Sequence, residues 1–175
     1  SNLPRYIRIT DFSSNGGLNN ESKLSLNWND AKGYLLSDND ILFARSGATV
    51  GKSYQFKVKS SEDKYHAFAG YLIRASADEN IIYSDYLYCY VNSNLFQNWR
   101  ALIYNKATIE NIGADKYAQL PIILPNLIEQ KNILDFLSYV SKPILKSINN
   151  LQTQIQTLKE YKTTLINEAV TGKIK

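Results

Sequence analysis

The residues that could catalyse a reaction are few and stand apart in the sequence. The only histidine, His66, lies within a strand-like alternation, and we expect it to be structural. The only cysteine, Cys89, lies in the apolar run 86–91 with no basic neighbour to stabilise a thiolate, so we expect it in the core. Glu129 and Asp135 are six residues apart and form no evident acid–base pair. These residues predict a protein without a catalytic site of its own.

The segment from Gly47 to Ser53 superficially resembles a phosphate-binding loop. That loop needs four residues between its two glycines, followed by Lys and then Ser or Thr. Here only three residues separate Gly47 from Gly51. The residues that follow alternate as a strand, so no helix is expected to direct its N-terminus at a phosphate. We therefore predict no nucleotide site.

Residue types suited to nucleic acid are clustered instead. Between Phe43 and Arg74 there are six Lys or Arg against two Asp or Glu, among Tyr, Ser and Asn residues. Cations position phosphates, and polar side chains read base edges. A solvated surface with a tight turn after Arg45 is the alternative explanation. The candidate DNA-binding residues are Arg45, Ser46, Lys52, Lys57, Lys59, Lys64, Asn105, Lys106 and Asn111.

Length and composition describe an ordinary folded protein. The chain has 175 residues, of which 44% are hydrophobic and 21% charged, which excludes disordered and collagen-like classes. A single cysteine excludes an intramolecular disulfide and a cysteine-based zinc cage. No apolar run is long enough to span a membrane, so we expect a soluble, cytoplasmic protein. The net charge of +4 is compatible with an anionic partner.

The predicted secondary structure that must position these residues changes near Pro125, from short strands and helices to one long helical pattern. Residues 1–125 predict a mixed α+β domain, with short strands at 6–10, 41–44, 53–58, 67–75 and 122–124. Gly70 is expected to form a bulge, and the prolines flanking 122–124 favour a sheet edge. Helices are predicted at 85–91 and 95–104, capped by Ser84 and Ser93.

Residues 126–175 predict a helical spacer and dimerisation region. Apolar residues recur there in steps of mostly three and four, averaging about 3.5, which is typical of a coiled-coil seam. Pro143 should bend or restart the helix, with Ser141 as its cap. A lone helix with such a narrow seam is unstable in water, so we expect a partner helix. The expected dimerisation residues are Ile144, Ile148, Leu151, Ile155, Leu158 and Leu165.

Three segments resemble the specificity subunits of type I restriction–modification systems. They are LSDNDILFARSGATVGK at residues 36–52, LPIILPNLIEQKNI at 120–133 and LINEAVTGKI at 165–174. The second resembles the passage that joins a target-recognition domain to its spacer helix, and the third resembles the end of that helix. The three segments occur in the family's order and span most of the chain.

The resemblance implies a DNA-reading subunit without catalytic activity. Such subunits carry two target-recognition domains, each reading one half of a split site, and their spacer helices pack antiparallel. Modification subunits that methylate adenine dock on them, and a restriction subunit adds translocation and cleavage. S-adenosylmethionine, ATP and magnesium would belong to those partners, so no cofactor or metal is expected on this chain. With one domain and one helix, it would be half of a subunit or a half-length form that dimerises.

The resemblance also separates two kinds of DNA contact. Family members with different targets share the signature around Arg45 and Lys52, so we expect these residues to contact the DNA backbone or to shape the loop. Base readout is then expected from residues 13–20, 57–64 and 104–111. Two alternatives remain: a coiled-coil assembly or regulatory protein without a DNA role, and a specificity domain of another methyltransferase–nuclease system.

Overall fold

A computed structural model describes residues 2–13, 17–46, 49–58, 63–104 and 111–173. The chain divides into two compact units, Ser1–Lys131 and Asn132–Lys175, which we call the head and the helical unit. The head is mixed α+β and the helical unit belongs to one long helix, which confirms the predicted fold class. The predicted boundary between residues 125 and 126 stays a prediction.

Two three-stranded sheets form the head. In the first, β1 (Arg5–Ile7) lies between β2 (Leu24–Ser25), which is antiparallel to it, and β5 (His66–Phe68), which is parallel. In the second, β3 (Ile41–Ala44) lies between β4 (Ser53–Gln55) and β6 (Leu72–Ala75), and both neighbours are antiparallel. The prediction of a strand at 41–44 is confirmed.

Strand β3 is buried on both faces because it separates two cores. Leu42 packs with Ile7 and Phe68 between the sheets. Its neighbours Ile41 and Phe43 belong to a second cluster formed with the helices. Successive side chains of a strand point to opposite faces, so a continuous apolar run can serve two cores at once. This strand therefore holds the head together and presents Arg45 at its end.

In the described part of the head, four short helices accompany the sheets: α1 (Trp28–Ala31), α2 (Ser84–Val91), α3 (Asn94–Tyr104) and α4 (Ala114–Tyr117). A 3₁₀ turn covers Ile9–Asp11. Helices α2 and α3 confirm the predicted positions, but Ser84 is not the cap of α2. The capping position is Tyr83, and the Ser84 hydroxyl donates to Glu79. The Ser93 hydroxyl donates to the Tyr90 carbonyl, 2.7 Å away, instead of accepting from an N–H of the first turn of α3.

The predicted strand over 67–75 is wrong, because the segment is divided between the two sheets. Strand β5 pairs with β1, and β6 pairs with β3. The Ala69 N–H donates to the Ile7 carbonyl, and a turn at Gly70 and Tyr71 then leads into β6. The predicted bulge is thus the crossing point between sheets. Strand β4 is also shorter than predicted, since it ends at Gln55.

The predicted strand at 122–124 is also wrong. These residues are exposed and pair with no described strand. Two tyrosine hydroxyls of α2 hold the segment instead: Tyr86 donates to the Ile123 carbonyl at 2.9 Å, and Tyr90 donates to the Pro121 carbonyl at 2.7 Å. Side-chain donors thus replace the backbone ladder that the sequence pattern predicted.

The last helix, α5 (Leu127–Val170), has 44 residues and continues through Pro143. The predicted restart is therefore wrong. Pro143 has no N–H to donate, but the helix continues on both sides of it. Ser141 does not cap a new helix, because its hydroxyl donates to the Leu137 carbonyl at 2.6 Å. Among the described residues, no helix is long and apolar enough to cross a membrane.

His66 is buried, whereas Cys89, which the sequence predicts in the core, is only half-buried. His66 is 3% exposed and its ring centroid lies 4.6 Å from that of Phe56. Cys89 is half-buried, and desolvation raises the pKa of its thiol. A raised thiol pKa leaves little thiolate at neutral pH, so Cys89 is a poor nucleophile.

Burial of His66 should make the stability of the head depend on pH. Desolvation lowers the pKa of His66 from 6.5 to about 4, although the charge of Asp63 opposes the shift. Below pH 6.5 the unfolded chain therefore binds the proton more readily than the folded one. We expect the His66 contribution to fall by up to about 2–3 kcal/mol as the pH drops from 6.5 towards 4. Denaturant titrations of the wild type and His66→Gln at several pH values measure this, and parallel pH profiles would contradict it.

Candidate functional site

The loop between β3 and β4, residues 45–52, contains a glycine, Gly51, that packs against Arg100. Its ends are joined by two backbone hydrogen bonds, from the Ala44 N–H to the Lys52 carbonyl and from the Gly51 N–H to the Ala44 carbonyl. Gly51 has a φ of 79°, a conformation that favours glycine. A Cβ atom there would lie 2.3 Å from Cδ of Arg100. The loop therefore packs on Arg100 only because Gly51 has no side chain.

Two cations are tied to backbone carbonyls around this loop. Arg100 of α3 donates from Nη1 to the Val50 carbonyl. Lys52 donates from Nζ to the Phe12 carbonyl, 2.8 Å away. This hydrogen bond joins the loop to the residue that follows the 3₁₀ turn. Each side chain makes one hydrogen bond to a described residue and keeps further N–H groups. Both residues thus shape the loop and leave donors for a partner.

Asn111 is brought to Arg45 and Ser46 although it lies 65 or more positions further along the sequence. Ser46 and Asn111 form an antiparallel bridge, and the Ile112 N–H donates to the Arg45 carbonyl at 2.8 Å. Arg45 also donates from Nε to Oδ1 of Asn111 at 3.3 Å. The sequence placed these residues in two separate groups, one for the DNA backbone and one for bases. The structure brings these residues together at one place.

A polar cleft of about 380 Å³ lies beside the loop. Residues 49–53 form part of its lining, and the rest comes from Ser13, from Tyr88 and Asn92 at the end of α2, and from Gln97 and Arg100 of α3. None of its described lining residues is Asp or Glu. Its polar side chains include Thr49, Lys52, Ser53, Asn92, Gln97 and Arg100.

The positive charge at this place is not balanced by protein carboxylates. Six cations elsewhere in the described head form ion pairs: Arg5, Arg8, Lys23, Lys57, Arg74 and Lys116. By contrast, Arg45, Lys52 and Arg100 form no ion pair with any described residue, and the same is true of Lys32, Lys64 and Lys131. A surface with three uncompensated cations attracts an anionic partner.

Lys57 is a candidate residue whose charge is compensated. Its ammonium forms an ion pair with Asp85 and donates to Oδ1 of Asn39 at 2.6 Å. Desolvation is the largest influence on Asp85 and raises its pKa, but hydrogen bonds from Lys57 and Gln55 and the charge of Lys57 outweigh it. The net result is a lowered pKa. The charge of Lys57 is therefore less available to a DNA phosphate than the sequence suggests.

Of the remaining candidate DNA-binding residues, one lies elsewhere on the head and three lie outside the described residues. Lys64 places its ammonium 5.0 Å from the ring centroid of Tyr65, on the strand-β5 side of the head. Lys59, Asn105 and Lys106 lie outside the described residues. In the part of the chain that the structure describes, no group of three or more His, Cys, Asp or Glu residues could hold a metal ion.

Three cleft residues were not predicted: Asn92, Gln97 and Arg100. All three belong to the helical stretch after Ser84, where polar residues alternate with apolar ones as in any amphipathic helix. The only local signal is Gly51, because a glycine in a loop can indicate a close approach. It does not say which residue approaches, and Arg100 lies 49 positions away.

Comparison with known proteins identifies the family to which the chain belongs. The family model for the type I restriction modification DNA specificity domain matches residues 5–157. A solved chain from work on complex assembly and conformational transition of the type I R-M system has the same fold, with a TM-score of 0.66 and 14% identity. The match covers 90% of this chain and 40% of that chain. No curated protein sequence matches this chain. Because the family model spans most of its length, the chain belongs to the family of type I restriction modification DNA specificity domains.

Proposed function

We propose that the head reads one half of a bipartite DNA site for a type I restriction–modification complex. The observation that carries the proposal is the group of three uncompensated cations, Arg45, Lys52 and Arg100, beside a polar cleft that has no described carboxylate. Phosphate contacts from such cations fix the register of a protein on the duplex. The polar side chains in the cleft can then reach base edges, which carry the sequence information.

We further propose that the chain is a scaffold and leaves the chemistry to its partners. Adenine methylation with S-adenosylmethionine would belong to docked modification subunits, and ATP- and magnesium-dependent cleavage to a restriction subunit. Helix α5 would pack against a second copy or the other half of a specificity subunit. Its six predicted seam residues support this, since they are 37–66% exposed in the single chain. The order of the three motifs along the chain supports it as well.

The expected activity appears only in the assembled complex. Purified chain, a type I modification subunit and S-adenosylmethionine should together methylate adenine in one split motif of a plasmid library, as read by sequencing. The chain alone should transfer no methyl group, because the proposal assigns S-adenosylmethionine and the methyl transfer to the modification subunits. Methyl transfer by the chain alone would refute this proposal. Methylation by the complex without any defined motif would refute the reading of DNA by the head.

Salt dependence separates a true phosphate contact from a merely basic surface. Arg45→Ala in the complex should weaken binding to every duplex and flatten the plot of log affinity against log salt by about 0.9. Lys57→Ala is the matched control and should change the slope less, because Asp85 already binds its ammonium. Fluorescence anisotropy over a salt series gives both slopes. If Arg45→Ala keeps the wild-type slope, Arg45 does not contact a phosphate.

A further inference from the structure

Two carboxamides in the polar cleft have hydrogen-bonding capacity that the protein does not use. Gln97 of α3 is half-buried, and its side chain makes no hydrogen bond to any described residue. Asn92 follows the end of α2. It donates from Nδ2 to the Tyr88 carbonyl at 2.8 Å and accepts from the Ser53 hydroxyl at 3.4 Å. Asn92 also hydrogen-bonds the Tyr88 side chain, so it is held in place, and a further lone pair of its Oδ1 remains available.

The same helix carries a cation beside one of these carboxamides. Gln97 and Arg100 are three residues apart in α3, a spacing that places both on one face of a helix. Arg100 is fixed by the Val50 carbonyl and has no acidic partner among the described residues. A phosphate bound by Arg100 would bring the neighbouring base edges close to Gln97. Arg100 would then position the duplex, and Gln97 would contact a base.

We propose that Gln97, assisted by Asn92, contacts base edges in the DNA major groove and sets part of the sequence specificity. This inference rests on the proposed function, because it requires DNA at this face of the head. A carboxamide presents a donor and an acceptor side by side, which match N7 and the N6 amino group of adenine. Adenine is therefore the preferred base at the position that Gln97 reads. Neither residue lies in the segments that the sequence suggested for readout.

The structure allows a clean test at Gln97. Gln97→Ala removes no internal hydrogen bond, and Ala is a better helix former than Gln, so α3 should keep its stability. Asn98→Ala is the matched control, because Asn98 is an exposed carboxamide on the same helix that does not line the cleft. Thermal melts of both variants check that the fold is unchanged. Asn92→Ala is the less decisive variant, since Asn92 has partners within the protein.

The experiment uses the complex with a modification subunit and S-adenosylmethionine on a library with a randomised site. Gln97→Ala should lower the discrimination at one base position by at least about fivefold, with the other positions retained. Asn98→Ala should give the wild-type motif. An unchanged motif and discrimination in Gln97→Ala would overturn the inference, as would an equal loss of affinity for all duplexes. If the wild-type complex itself shows no motif, the proposed function fails, which is a distinguishable result.

Discussion

Replacing Gln130 by Glu is expected to lower the free energy of unfolding of the head by about 2–4 kcal/mol. Gln130 is fully buried at the first turns of α5. Its Oε1 accepts from the Tyr83 N–H at 2.9 Å, and its Nε2 donates to the carbonyls of Ile81 at 3.1 Å and Pro125 at 2.8 Å. A glutamate of the same shape keeps an acceptor but loses the amide donor. Two partly buried carbonyls then lose their partner, and a charge is buried beside them.

Denaturant titration followed by tryptophan fluorescence measures this effect, because both tryptophans, Trp28 and Trp99, lie in the head. Glu129→Gln is the matched control: it makes the reverse chemical change at the adjacent, exposed position. The control should change stability by no more than about 0.5 kcal/mol. Equal stabilities of the two variants would show that the Gln130 hydrogen bonds contribute nothing.

Gln130 also gives a physical reason for the segment at 120–133. The resemblance identifies this passage as the junction between head and helix, but it does not say what the glutamine does. In the structure its side chain joins three backbone groups, from Ile81, Tyr83 and Pro125, that no regular element pairs. Gln130 therefore anchors the start of α5 to the segment that precedes α2. Such a role depends on contacts 47 or more residues away and has no local signature.

Elements with strong local signals were predictable from the sequence. Strand β3 is a continuous apolar run bounded by a polar turn and Arg45, and its predicted limits are confirmed. Asn39 in that turn has a φ of 73°, which asparagine tolerates better than most residues. Helix α5 was predictable because its apolar period persists over many turns. Both signals lie in consecutive residues and need no knowledge of the rest of the fold.

Elements decided by distant contacts were not predictable. The residues of β5 and β6 are separated by Gly70 and Tyr71 within an otherwise strand-like run, so nothing local shows that they join different sheets. Their pairing is decided by β1 and β3, which lie far away in the sequence. The basic loop at 45–52 could be predicted in the same local way as β3. The polar cleft could not, because its other residues come from α2 and α3.

The second large expected effect is on dimerisation through helix α5. Leu151 and Leu158 are two turns apart on the apolar seam of α5 and are 57% and 66% exposed in the single chain. A helix of this length with a narrow apolar stripe needs a partner helix. We expect the isolated chain to pair with a second copy through this seam. Aspartate at both positions would place charges in that apolar interface, where each copy contributes two.

The variant Leu151→Asp/Leu158→Asp should sediment as a monomer at tens of micromolar, where the wild type should sediment as a dimer. Four buried, unpaired carboxylates should raise the dimer dissociation constant by more than about a thousandfold. Asn149→Asp/Gln156→Asp is the matched control, with the same charge and spacing on the opposite face of the helix. That control should remain dimeric in analytical ultracentrifugation. A monomeric wild type, or a dimeric seam variant, would contradict pairing through these leucines, because in neither case would the exposed seam be buried in a stable interface.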